Sequence, residues 1–112
     1  MKNQATISKR TLTKVTNLIA TKVSNAVSFY GNAHVEVKEY LKGSIMQVEV
    51  WFDHHMLCFA GLDTIREVTD AYEEKYDANC ICTTIQTRPY LLSDGETFLH
   101  MPVVEIMVRV KE

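Results

Sequence analysis

Two short clusters in this chain carry residue types that do chemistry. Asp53-His54-His55 sets a carboxylate beside two imidazoles, donors that zinc and similar cations accept. In extended backbone, adjacent histidines point to opposite sides, so at most one of them joins Asp53 and a remote Cys or His. Cys80-Ile81-Cys82 places two thiols on one face of a strand, about 6 to 7 Å apart along the backbone, a soft pair for zinc or copper. Completing a tetrahedron would take Cys58 and one of His54, His55 or His100, and no C-x-x-C or H-x-x-x-H spacing singles these out. A Cys–His nucleophile pair would draw on the same residues. The ordinary readings are a solvated turn for the first cluster and small buried hydrophobes for the second. No metal ligand is assigned and no cofactor is expected.

The elements that must position such residues follow from periodicity. From Ser8 to Tyr30, Leu12, Val15, Ile19, Val23, Ala26 and Tyr30 recur at steps of three and four, which predicts a helix closed by Gly31. Arg10, Lys14, Asn17, Thr21 and Ser24 fall on its opposite side. Period two begins at Ala33: Ala33, Val35 and Val37 share one face, and His34, Glu36, Lys38 and Tyr40 the other. A turn at Lys42-Gly43 leads into a second strand, where Met46, Val48, Val50 and Phe52 alternate with Ile45, Gln47, Glu49 and Trp51. Setting Leu41 opposite Ser44 pairs Val37 with Val48, Val35 with Val50 and Ala33 with Phe52, so both strands bury the same set. That register also opposes Glu36 and Glu49. Like charges in this position are mildly destabilising, unless Lys38 neutralises them or the pair binds a cation or exchanges protons.

Further along, Asp53-His54-His55 reads as a turn into a short third strand, Met56 to Ala60, ended by Gly61. A second helix is expected from Asp63 or Thr64, where Thr64-x-x-Glu67 fits a capping box. Its stripe is Ile65, Val68, Tyr72 and Tyr76, and its other face is acidic. A strand from about Cys80 to Thr87, a loop from Pro89 through Asp94-Gly95, and a last strand from Val103 to Lys111 complete the chain. The expected fold is α+β: two helices packed on one face of an antiparallel sheet of about five strands, in the order α-β-β-β-α-β-β. Residues 1–112 are expected to form one domain.

Composition narrows the function. Apolar residues make up 46% and charged residues 23% of the 112, with four Gly and two Pro, which excludes a disordered or linker-like chain. No apolar run approaches the ~20 residues that span a bilayer. No apolar segment follows the charged Met1–Arg10 stretch, so neither a membrane partner nor a signal peptide is expected. Three cysteines, an odd number, read as free thiols of a reducing compartment, and a cytoplasmic location is expected. Four glycines offer little material for a phosphate loop or nucleophile elbow, which points away from an enzyme.

Two surfaces remain. On the strand face that should be polar, Tyr40, Ile45 and Trp51 lie beside His34, and Val103 and Met107 join them from the last strand. Cover is expected from Tyr90, Leu91, Leu92, Phe98 and Leu99 of the chain itself, from a second copy, or from a partner protein. The second surface is basic. Lys2, Lys9, Arg10, Lys14 and Lys22 precede the first acid, Glu36, while the remaining chain holds all 14 acids against 7 bases. The leading expectation is a non-enzymatic interaction module, an accessory, adaptor or inhibitor protein of a size that suits a phage or mobile element. It would be a homodimer or bind a protein partner through Tyr40, Ile45, Trp51 and His34. The alternatives are a nucleic-acid-binding accessory using Arg10, Lys14 and Lys22, against which the pI near 6.1 weighs, and a metal-dependent enzyme.

Overall fold

The computed structural model describes residues 6–30, 33–41 and 43–110. Gly31 as a helix cap, Lys42 in the first turn, and the cations at positions 2 and 111 lie outside the described residues. The elements run α1 (Lys9–Ala26), β1 (His34–Tyr40), β2 (Ile45–Trp51), α2 (His55–Lys75), a single 3-10 turn (Ala78–Cys80), β3 (Ile81–Leu91) and β4 (Phe98–Arg109). Both helices pack on one face of a four-stranded antiparallel sheet ordered β1-β2-β4-β3. The α+β class with two helices therefore stands, with four strands in place of about five.

Ser8 caps α1, its N–H donating to Thr11 Oγ1 at 3.3 Å. Leu12, Val15, Ile19 and Val23 form the buried stripe. Thr16 is buried among them because its hydroxyl donates to the Leu12 carbonyl at 2.8 Å, so no polar group is left unmet. The helix ends at Ala26 rather than continuing to Tyr30, whose hydroxyl instead meets Thr64 Oγ1 on α2 at 3.1 Å.

The expected third strand at Met56 to Ala60 does not form. These residues are the opening turns of α2, which begins eight residues before the expected Asp63, with His54 Nδ1 accepting from the Met56 N–H at 3.1 Å. A five-residue apolar run cannot be told from a buried helical segment by periodicity, and Met, Leu and Ala favour the helix. The buried positions Cys58, Gly61, Ile65 and Thr69 have helical spacing. Gly61, read as a strand stop, sits inside the helix against Phe52: a Cβ there would lie 2.8 Å from Phe52 Cζ. Thr64 is likewise interior and caps nothing.

The hairpin register is as the alternation required, with Val37 opposite Val48, Val35 opposite Val50 and Glu36 opposite Glu49. The last two strands are longer than expected. Cys80 to Thr87 becomes Ile81–Leu91, and Val103 to Lys111 becomes Phe98–Arg109. Pro89 is accommodated because β3 is an edge strand, where a missing N–H can face away from the ladder. β4 lies in the middle of the sheet, which explains why Val103 through Ile106 are buried on both faces. The core joins the α1 stripe and Cys58 and Ile65 of α2 to Met46, Val48, Val50, Phe52, Val104, Ile106 and Val108. Among the described residues no helix is long and apolar enough to cross a membrane.

Candidate functional site

The sheet face turned away from the helices is organised in rows of paired residues. His34, Trp51, Val103 and Gln86 form one row; Glu36, Glu49, Glu105 and Thr84 the next; Lys38, Gln47, Met107 and Cys82 the third; Tyr40, Ile45 and Arg109 the fourth. The four residues expected to bind a partner thus share this face but divide between its ends. His34 pairs with Trp51 at one end and Tyr40 with Ile45 at the other, with two polar rows between them.

Those polar rows hold a buried ion cluster. Three glutamates meet in one row, and the conflict of like charge is resolved separately for each. Glu36 turns to His34, with Nε2 3.1 Å from its Oε1. Glu49, fully buried, accepts on Oε1 from Trp51 Nε1 at 3.2 Å and lies 3.2 Å from Lys38 Nζ. Its Oε2 accepts from Gln47 Nε2 at 2.9 Å and from an Arg88 guanidinium N–H at 2.8 Å. Four donors fill the acceptor capacity of this carboxylate. The same two groups reach Glu105 Oε2, Arg88 at 2.6 Å and Gln47 at 3.1 Å, so one cation and one amide bridge two carboxylates. Burial pushes the Glu49 pKa up, but the hydrogen bonds from Arg88, Lys38 and Gln47 outweigh it and hold it below the ordinary glutamate value. Arg88 is held above its usual value chiefly by its hydrogen bond to Glu49.

Arg88 also stacks on Trp51, its Cζ 5.4 Å from the ring centre, and Tyr90 lies tilted on the same ring at 5.2 Å. Trp51 is therefore 4% exposed, whereas Tyr40 is 41% exposed and Ile45 half-buried. The chain itself covers the tryptophan from β3, and a partner approaching that end meets Tyr90, Arg88 and His34 first. The cluster ties all four strands on the helix-free face: Lys38 from β1, Gln47, Glu49 and Trp51 from β2, Glu105 from β4, and Arg88 and Tyr90 from β3. Arg88, Gln47 and Glu105 carry this arrangement without standing out in the sequence. The signal was the matching alternation of Gln47-x-Glu49-x-Trp51 and Val103-x-Glu105-x-Met107, legible only once β2 and β4 are known to be neighbours.

Beyond Trp51, β2 ends, and β3 and β4 continue alone from the Thr87–Pro102 pair to Leu91–Phe98. This two-stranded arm closes at Asp94, whose carboxylate accepts from the Glu96 and Thr97 N–H groups, and at Gly95 with φ of 76°. Leu91, Phe98 and Leu99 are 47, 59 and 49% exposed. Phe52 N–H donates to the Pro102 carbonyl at 3.0 Å at the base of the arm, and the chain passes from there into α2, whose first turns expose Met56 and Phe59.

The other sequence candidates are dispersed. His54 caps α2, and Cys58 is buried under it with its thiol pKa raised by burial. Cys80 is buried and Cys82 exposed. Among the described residues no three His, Cys, Asp or Glu side chains come together as a cation site. Arg10, Lys14 and Lys22 are exposed on α1, and none makes an ion pair with a described residue, including the acids of α2. No protein family, curated protein or solved structure matches the chain.

Proposed function

We propose that this chain is a non-catalytic interaction module, an accessory, adaptor or inhibitor protein, that takes a protein partner at the arm end of its sheet. The observation that carries this reading is the gathering of exposed Leu91, Phe98 and Leu99 on the arm, with Met56 and Phe59 of α2 at the same end. Large apolar side chains concentrated on one projecting element are what partner surfaces use, whereas scattered ones need no explanation. Leu99, paired with Tyr90, continues this surface onto the helix-free face toward His34, Tyr40 and Ile45, while Leu91 and Phe98 share the other face of the arm. Trp51 supports it from beneath by holding Tyr90 and Arg88 in place. The test is capture from lysate of the native host with the tagged chain, beside the Phe98→Ser/Leu99→Ser variant. A partner lost on the double substitution, with the circular dichroism spectrum unchanged, supports the arm. Equal capture by both proteins removes it.

A second reading rests on the cations of α1, which make no ion pair among the described residues. Arg10 and Lys14 sit in its N-terminal half with no acid in the first turn, where the helix dipole disfavours positive charge by a few tenths of a kcal/mol. A phosphate backbone would offset that cost. Binding to nucleic acid that falls steeply with salt, and weakens when Arg10, Lys14 and Lys22 are changed to Glu, is the expected outcome of that reading. No mobility shift at low salt eliminates it.

A further inference from the structure

The two edges of the sheet differ in how they are guarded against other strands. An edge strand offers unpaired N–H and C=O groups to any extended chain, and proteins blunt it with charge, proline or a bulge. The β1 edge is blunted: Glu36, Lys38 and Glu39 fall within its seven residues. The β3 edge is not. From Ile81 to Thr87 it reads Ile-Cys-Thr-Thr-Ile-Gln-Thr, without charge or proline and rich in β-branched residues, and Ile85 is 39% exposed.

Hydrogen-bond direction identifies which groups of β3 have no backbone partner among the described residues. Phe52 N–H donates to the Pro102 carbonyl and Val110 N–H to the Ser44 carbonyl, so the even-numbered residues of β4 address the β2 side. The odd-numbered residues Val103, Glu105 and Met107 therefore bond to their β3 partners Gln86, Thr84 and Cys82. Leu92 N–H donating to the Thr97 carbonyl at the arm tip agrees with this parity. It follows that Thr83, Ile85 and Thr87 aim their N–H and C=O outward, while Ile81, of the same parity, is 2% exposed and already covered. Pro89, next in the series, has no N–H and closes the row.

Thr83 and Ile85, both accessible, are symmetric about the exposed Thr84. We propose that two copies of this chain pair antiparallel along β3 on a twofold axis at Thr84, making one continuous sheet across the dimer. Thr83 then exchanges both backbone bonds with Ile85 of the second copy, and by the twofold Ile85 with Thr83. Thr84 faces Thr84, and Cys82 faces Gln86. No like charges meet, and the outward groups on either side of Thr84 gain partners. A second copy fits better than a foreign strand because the axis lies in the middle of an uncharged stretch whose accessible groups are self-complementary, and the paired residues stop short of Pro89 and Arg88. The dimer rests on the reading of the chain as an interaction module, yet it uses a surface separate from the arm.

The test begins with the mass of the full chain by light scattering across micromolar to submillimolar concentration. Twice the 12.8 kDa of one chain is expected. Ile85→Pro removes an outward N–H without touching the β3–β4 ladder, and Thr84→Lys sets two lysines face to face on an exposed position. Each is expected to weaken the dimer at least tenfold with an unchanged circular dichroism spectrum. Directly opposed residues of such a pair stand about 4.5 Å apart at Cα, within disulfide range, so Thr84→Cys in a Cys82→Ser background should give a disulfide-linked dimer on mild oxidation. A monomer mass throughout overturns the proposal, as does a dimer that survives both Ile85→Pro and Thr84→Lys. A dimer abolished by Phe98→Ser/Leu99→Ser but not by the edge variants would place self-association on the arm, leaving the interaction module standing and the edge pairing wrong.

Discussion

Glu49 shows how a single residue inverts an expectation drawn from neighbours in sequence. Opposed to Glu36 across the hairpin, it looks like a repulsive pair, yet it is the most fully satisfied carboxylate described, because Arg88 and Gln47 approach from other positions on the sheet face. Removing the shared cation leaves Glu49 with Lys38, Trp51 and Gln47, but leaves the buried Glu105 with the Gln47 amide and no cation among the described residues. Arg88→Met is expected to cost about 3 kcal/mol, toward the lower end for a broken buried pair because Arg88 itself is 32% exposed. The double variant Arg88→Met/Glu105→Gln, which removes the stranded charge, should recover part of that loss; urea unfolding measures both. The acid response follows from the lowered pKa of Glu49. A carboxyl whose folded pKa lies below its unfolded value lends stability that is fully present above the unfolded value of 4.5 and is lost as pH falls through the lower folded one. Unfolding free energy measured from pH 6 downward should decline below about 4.5, and Glu49→Gln should flatten that decline.

At the scale of elements, α2 is where local signals and tertiary packing part company. Gly61 is a weak helix residue by about 1 kcal/mol against Ala, and in an isolated sequence it punctuates a strand. In the fold it is what lets α2 lie on Phe52, which is fully buried. Gly61→Ala is therefore expected to destabilise by about 1 to 2 kcal/mol despite the better propensity, because overpacking against the ring outweighs the helix gain. Thermal unfolding of the variant decides the sign. A rise in melting temperature would mean that the ring gives way. β3 shows the complementary case: Pro89 marks a loop in sequence and an edge in structure, since what proline forbids is a bond on one side only.

As a whole molecule the chain spans 50 × 29 × 19 Å, and its long dimension reflects an arm that adds little to the core. Tyr90 and Leu99 pair directly, so the eight residues 91–98 can be replaced by an Asn-Gly turn that keeps the ion cluster and the cover over Trp51. Such a truncated chain is expected to melt within about 5 °C of the parent, because no residue of the removed segment belongs to the buried cluster. Loss of partner capture without loss of fold would separate the arm's role in binding from any role in stability. A large fall in melting temperature would assign the arm to the fold instead.

What the sequence determined by itself was whatever depends on short-range periodicity and on sums over the chain. The α1 stripe from Leu12 to Val23, the β1–β2 register through Val35–Val50 and Glu36–Glu49, the class of two helices on an antiparallel sheet, and the basic lead before Glu36 are all of this kind. A side-chain period of two or 3.6 residues is imposed by backbone geometry and is visible in any window of ten. Tertiary structure alone decided which strands are neighbours, and with that every long-range pairing. β4 entered between β2 and β3, so Glu105 met Glu49 across 56 positions, Arg88 bridged both, and Trp51 went under Tyr90. Met56 to Ala60 became helix because Gly61 could rest on Phe52, a contact that no local pattern encodes. The physical reason is common to all of these: contact energies between remote segments exceed the few tenths of a kcal/mol per residue by which local propensities choose.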